Sequence, residues 1–174
     1  MPESGPMVIV ITGVMAAGKS TVAQRLAERL PRSAHVRGDV FRRMIVSGRA
    51  EPTPEQSVDE VAQLRLRYEL SVRTADAYAA AGFTAIVQDV ILGADLPAYR
   101  EMIRTRPCHL VVLAPRAEVV AAREAARRKT GYGAWTVADL QAELARTPRI
   151  GLWLDNSDQT PDETVDEILE RLNR

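Results

Sequence analysis

Gly13-Val14-Met15-Ala16-Ala17-Gly18-Lys19-Ser20 is the stretch whose reading decides the fold, because it matches the phosphate-loop pattern G-x-x-x-x-G-K-[ST]. Before it runs Met7-Val8-Ile9-Val10-Ile11-Thr12, short, apolar and β-branched. After it, apolar residues at 22, 23, 26, 27 and 30 carry a helical spacing. Strand, glycine loop and helix thus follow in the order that phosphate binding requires. Gly13 and Gly18 let the backbone turn its N–H groups inward, and the helix N-terminus adds its dipole. Lys19 can reach the β- and γ-phosphates, and the Ser20 hydroxyl can sit on Mg²⁺. Ala16, Ala17 and Thr21 complete the expected nucleotide-binding set. An ordinary strand–turn–helix leaves Gly-Lys-Ser at the helix start unexplained, so a bound nucleotide is expected.

The 174 residues suit one domain, 1–174, with a core of ordinary size. Hydrophobic content of 46% and charged content of 26% are those of a globular protein. Zero formal net charge argues against broad electrostatic binding to nucleic acid or an anionic membrane. No apolar run reaches membrane-spanning length. Residues 1–6 carry no basic region, so no secretory signal is expected. Cys108 is the only cysteine, which points to a reducing cytoplasm. Of the 23 basic residues only Lys19 and Lys129 are lysines. The lysine at position 19 is therefore telling, since a phosphate loop uses a compact point charge.

Five apolar runs alternate with helical patterns. A weak second strand at Ala34–Gly38 leads into a helical segment, 39–46. A loop spans 48–54, and a long helix is predicted from about Pro54 to Ala81. Strands at 83–87, 108–113 and 150–154 alternate with helices at 97–104, 116–129, 136–146 and 161–172. Pro161 opens the last of these. Nearly continuous apolar strands alternating with helices predict a three-layer α/β/α sandwich around a five-stranded parallel sheet.

Ligands of such sheets gather beyond the carboxyl ends of the strands, which selects Asp39, Asp89, Arg116 and Asp155. Asp39 is either a general base for an attacking hydroxyl or a helix N-cap. A ribose-binding role fails because Gly13-Val14-Met15 breaks the dinucleotide pattern G-x-G-x-x-G. Arg42, one turn on, can pair with Asp39, bind an acceptor, or lie on a solvated face. Asp89 closes Ile86-Val87-Gln88-Asp89 and suits a Mg²⁺ role, direct or through water; otherwise it is a turn residue. Arg116, Arg123, Arg127, Arg128 and Lys129 precede Thr130-Gly131-Tyr132-Gly133, a hinge-like run. A mobile lid at about 128–136 that brings guanidinium groups onto transferring phosphate is preferred over a solvated basic face. Arg65, Arg67 and Tyr68 on the long helix can line an acceptor pocket. His35, His109 and Cys108 read as structural, and Trp135 and Trp153 as packing residues rather than ligand-binding ones.

Gly13–Thr21, Gly38-Asp39, the segment 86–93 and Arg123-Glu124-Ala125-Ala126-Arg127 together resemble the chloramphenicol phosphotransferase-like kinases. These are P-loop kinases related to the shikimate, gluconate and nucleoside monophosphate kinases. The resemblance implies sheet order 2-3-1-4-5 with a short helical lid, and a catalytic role for Asp39. It also implies that Arg123 packs on adenine and Arg127 faces phosphate. The family's third strand often ends in paired aspartates; here the pair is Gln88-Asp89. Between Met44 and Tyr68 no residue-level match exists, so the acceptor is not carried over.

The expected activity is ATP-dependent transfer of the γ-phosphate to a hydroxyl of a small molecule, an antibiotic being one candidate. Lys19, Asp39 and Arg127 would act in catalysis. Ser20 and Asp89 would hold Mg²⁺, and Asp39, Arg42, Arg67 and Tyr68 would meet the acceptor. A nucleoside monophosphate or other metabolite kinase is the near alternative; no clear basic cluster awaits an acceptor phosphate, although Arg42, Arg43 and Arg67 leave room for one. An ATP-binding regulatory module without an acceptor is the alternative of another class. A GTPase is disfavoured, because Asp155-Asn156-Ser157-Asp158 lacks the order and the lysine of N-K-x-D. The expected partners are nucleotide and small molecule only, with the chain as monomer or homodimer.

Overall fold

Val8–Gly13 (β1) is buried along all six residues, as a strand must be when it has neighbours on both edges and helices on both faces. The computed structural model describes residues 5–127 and 135–174. Ser33–Arg37 (β2), Thr84–Gln88 (β3), Cys108–Leu113 (β4) and Leu152–Leu154 (β5) complete one parallel sheet of order β2-β3-β1-β4-β5. The predicted fold and strand order hold. The edge strands are the less buried ones, with patterns that reach intermediate or exposed positions in both β2 and β5.

The helices are Lys19–Arg29 (α1), Gly38–Arg43 (α2), Val58–Ala80 (α3), Asp95–Met102 (α4), Ala117–Ala126 (α5), Val137–Arg146 (α6) and Pro161–Leu172 (α7). α1 packs with α7 on one face of the sheet, and α3 packs with α2 and α4 on the other. Val22 and Leu26 of α1, Ile9 and Ile11 of β1, and Ile168 of α7 are almost wholly buried, each contributing about 1.5–3 kcal/mol of apolar burial.

Among the boundaries that differ from expectation, two have a clear local setting. The long helix begins at Val58, not Pro54, because Ser57 and Glu60 close a capping box. The Glu60 N–H donates to Ser57 Oγ at 3.1 Å and the Ser57 N–H donates to the Glu60 carboxylate at 3.3 Å. α5 ends at Ala126, with Arg127 in an extended C-cap conformation. The predicted lid at 128–136 lies outside the described residues apart from Trp135 and Thr136, and Thr136 caps α6 in a second box with Asp139.

One buried hydroxyl fixes the sheet's carboxyl edge. Thr12 Oγ1 donates to the Ile91 carbonyl at 2.8 Å and accepts from the Ile91 N–H at 2.9 Å. The segment after β3 is thereby tied to the strand that enters the phosphate loop. Among the described residues, no helix is long and apolar enough to cross a membrane.

Candidate functional site

The loop between β1 and α1 has the backbone of an anion cradle. Ala16 and Gly18 both take left-handed φ values, 62° and 93°. Gly18 is required there for its conformation rather than for space, since the nearest atom to an added Cβ would be 3.6 Å away. It also forms the N-cap of α1 without any side-chain cap, so side chains leave the first-turn amides open to an anion. Lys19 Nζ donates to the Val14 carbonyl at 2.8 Å across the loop. Burial pushes the Lys19 ammonium down to about pKa 8; Asp89 opposes that shift, and Arg127 and Arg67 add to it.

The back of the loop is braced. The Ala17 carbonyl accepts from Asn156 Nδ2 at 3.0 Å and from Arg123 Nη1 at 3.5 Å, while Arg123 Nη2 donates to the Asn156 carbonyl at 3.2 Å. Asn156, in the loop after β5, thus braces the phosphate loop together with Arg123, for which the resemblance implied adenine packing. Arg127 pairs with Glu124 at 3.1 Å and still lines the cavity beside Lys19.

Beyond β3 lies the most buried charge of the site. The Asp89 side chain is 2% exposed and meets Arg67 of α3 in a two-pronged ion pair. Arg67 Nε donates to Oδ2 at 2.8 Å, Nη2 donates to Oδ1, and the Val90 N–H donates to Oδ1 at 2.8 Å. Burial pushes the Asp89 carboxyl up, and Arg67, Val90 and Lys19 pull against it. Burial likewise works against the Arg67 charge, but the facing carboxylate outweighs it and holds the guanidinium protonated. Gly38 explains how the carboxylate fits. A Cβ at position 38 would stand 2.0 Å from Asp89 Oδ2 and 2.9 Å from Asp89 Cβ. Beside this pair Gln88 is buried, and its Oε1 has no hydrogen-bond partner among the described residues.

Asp39 sits in the first turn of α2. It is not the N-cap: Arg37 holds that position, and no side chain caps the helix. Its carboxylate pairs with Arg43 at 3.2 Å, not with Arg42. Residues three and four apart are both neighbours on a helix, but Arg42 is drawn to another partner. Arg42 instead pairs with Glu51 at 3.1 Å and donates to the Ala50 carbonyl.

Two adjoining cavities result. The first, about 410 Å³, is lined by Ala16, Gly18, Lys19, Ser20, Thr21, Asp39, Arg67, Gln88, Asp89, Arg123 and Arg127. The second, about 870 Å³, holds Arg42, Arg67 and Tyr68 among mostly apolar walls that include Phe41, Leu64, Leu92 and Leu140. Met15, Arg67 and Val90 belong to both. The Tyr68 hydroxyl is committed to the Val90 carbonyl at 3.1 Å.

Most of the predicted site residues are thus brought together. Gly13 and Ala17 support the loop from behind without lining either cavity. Arg65 lines neither one. Arg116 lies apart from both cavities, tied to Asp158 and Glu118 on the exposed surface. Trp135, read as a packing residue, packs against the core and also lines the larger cavity. Gln88, Gly38, Met15 and Val90 were missed. Their parts depend on contacts across the sheet, and only Gly38, next to Asp39 after a strand, carried a local signal.

A family model described as AAA domain matches residues 8–149. A UPF0200 protein of Aeropyrum pernix is 41% identical over 70 residues. That match covers 40% of this chain and 36% of the relative, so the chain spans about a third of the curated relative it matches. A sugar kinase from a Janibacter species superposes with TM-score 0.70 at 22% identity, covering 98% of this chain and 95% of the other. The tunicamycin resistance protein of Deinococcus radiodurans gives TM-score 0.72 at 18% identity, over 96% and 95%. At such identities these two structures establish likeness of fold.

Proposed function

The chain belongs to this AAA-domain family, and on that premise we propose that it is an ATP-dependent phosphotransferase acting on a hydroxyl of a small molecule. One observation carries the proposal: the phosphate-loop cavity shares a wall with a second cavity of about 870 Å³, within the range of small-molecule sites. A nucleotide switch has no use for such a chamber beside its γ-phosphate.

ATP enters the smaller cavity, its phosphates on the amides of residues 16–21. Lys19 leaves the Val14 carbonyl for the β- and γ-phosphates. An acceptor hydroxyl from the larger cavity attacks the γ-phosphorus, and Asp39 takes its proton. The bond from the γ-phosphorus to the bridging oxygen breaks, and ADP leaves. Lys19, Arg127 and Arg67 offset the charge in transit.

The residues present fit Mg²⁺. The Ser20 hydroxyl and the end of β3, where a buried Gln88 oxygen lacks a donor among the described residues, are the groups that would hold it. Bound there, it would neutralise charge across the β- and γ-phosphates.

The chemistry of the larger cavity favours an uncharged acceptor. Its two arginines are paired, Arg42 with Glu51 and Arg67 with Asp89, and Glu51, Glu60, Asp95 and Glu143 also line it, so an acceptor phosphate or carboxylate would meet more acidic than basic side chains. That favours a neutral alcohol of drug size over a nucleoside monophosphate. An antibiotic of that kind, as the resemblance to chloramphenicol phosphotransferase-like kinases suggests, would suit the walls.

Asp39→Asn tests the reading. ATP affinity should hold while transfer at saturating substrates falls about 10²–10⁴-fold. Unchanged turnover would overturn the base assignment.

A further inference from the structure

The two residues that end β3 are placed very differently towards the phosphate cavity. Both oxygens of Asp89 are already engaged. Its Oδ1 accepts from Arg67 and from the Val90 N–H, its Oδ2 accepts from Arg67 Nε, and the Gly38 backbone closes over Oδ2. A cation approaching this carboxylate would have to displace Arg67, whose side chain is itself only 19% exposed. Breaking a buried pair in that way strands a charge and is strongly unfavourable. Gln88 is the reverse case. It is 6% exposed, it lines the same cavity, and its Oε1 has no donor among the described residues. An amide oxygen suits a cation that keeps much of its water shell, because it accepts from a coordinated water without bringing charge.

Arg67 also stands where a group between two substrates must stand, in the wall common to both cavities. The fork to Asp89 occupies Nε and Nη2 and leaves the rest of its five N–H donors for a phosphoryl group in passage.

We propose that Asp89 serves Arg67 and not the metal. It is a positioning residue that fixes the guanidinium in the partition between donor and acceptor, while the Gln88 amide oxygen is the β3 group that faces the metal's water shell. This rests on the phosphotransferase reading above. A sheet strand ending in Gln-Asp rather than Asp-Asp then has a physical sense: the second carboxylate is spent on an internal cation, and a neutral acceptor faces the metal.

The test uses the full chain and four variants: Asp89→Asn, Arg67→Met, the double variant of these two, and Gln88→Leu. Electron paramagnetic resonance of free Mn²⁺ gives the metal's affinity in the ATP complex, and ADP release gives transfer. Asp89→Asn and Arg67→Met should each slow saturated transfer about 10²-fold, the loss of one transition-state donor. The double variant should be no slower than either, since the two residues act as one unit. In all three, Mn²⁺ affinity should stay within about twofold of the parent, whereas Gln88→Leu should weaken it about tenfold, as loss of a group supporting a metal does. The proposal is overturned if Asp89→Asn weakens Mn²⁺ about tenfold or more, or if Arg67→Met transfers at the parental rate. Should Asp89→Asn fail to fold, the double variant, which buries no unpaired charge, decides by the same Mn²⁺ criterion. Absence of any acceptor-dependent transfer in the parent would overturn the phosphotransferase reading instead, and the Mn²⁺ affinities would still decide what Asp89 serves.

Discussion

Replacing Gly38 by alanine should unfold the protein at a markedly lower temperature, although alanine is the better helix former and position 38 begins a helix. The new Cβ would lie 2.0 Å from Asp89 Oδ2, 2.4 Å from Cγ and 2.9 Å from Cβ. Ordinary contact needs about 3.5 Å. Turning the carboxylate about χ1 carries it off Arg67 and still leaves Asp89 Cβ at 2.9 Å; by either route the carboxylate, at 2.0 Å, must move by more than an ångström. At that displacement the Arg67 Nε to Oδ2 bond of 2.8 Å is lost. Separating a buried pair costs about 3–5 kcal/mol, and the partial exposure of Arg67 favours the lower end. For a chain of this length about 3 kcal/mol corresponds to a fall of about 6–12 °C in Tm. Differential scanning calorimetry of the ligand-free protein at neutral pH measures it. Gly18→Ala is the control, since its cost of about 1 kcal/mol is conformational only. Asp89→Ala supplies the second check: in that background Gly38→Ala should cost clearly less, because Oδ2 and Cγ are gone and only the 2.9 Å approach to Cβ remains. A Gly38→Ala protein melting within about 1 °C of the parent would refute the packing of Asp89 against α2.

Other consequences are equally open to measurement. Lys19 titrates near pH 8 in the free protein, and phosphate favours its charged form, so ATP binding at pH 8.5–9 should take up close to one proton. Calorimetry in two buffers of different ionisation enthalpy detects the uptake, and Lys19→Met should abolish it. The same shift means that the unfolded chain binds more protons between about pH 8 and 10.5, so Lys19 makes stability rise with pH across that window. His35 is pushed down to about pKa 4 by burial, with Arg37 adding to the shift. Its contribution to stability is therefore present above about pH 6.5 and is lost as pH falls towards 4. His35→Gln should flatten acid unfolding in that interval, measured by circular dichroism. Thr12→Val leaves the Ile91 N–H and carbonyl without their buried partner and should cost about 2–4 kcal/mol in urea unfolding at an unchanged m-value.

What the sequence disclosed was local. The strand, glycine loop and helix at 8–29 declare themselves because each part is written in adjacent residues. The apolar continuity of 8–11 and 108–113 likewise marks the buried strands. Sheet order came only through likeness to related kinases, and the structure agrees with it. Site residues at strand ends were also legible, since topology gathers strand ends on one edge. Their partners were less so. Asp39 was matched to Arg42, whereas its carboxylate meets Arg43. The start of α3 was written in Ser57 and Glu60, a capping signature overshadowed by the proline at 54. Gly38 and Gln88 depended on residue 89 and on the open cavity, which no local pattern encodes. Nor does sequence say that Arg67 is spent on Asp89, although both residues were picked out individually.

The most direct test of the central claim is product mass. Purified protein, Mg²⁺ and ATP are incubated with separate panels of neutral alcohols of drug size, carboxylated sugars and nucleoside monophosphates, and each acceptor is weighed by mass spectrometry. A neutral alcohol gaining one HPO₃ unit, in step with ADP formed and lost in Asp39→Asn, is the predicted result. ATP turnover that no acceptor accelerates, with no compound in any panel gaining that mass, would contradict the account.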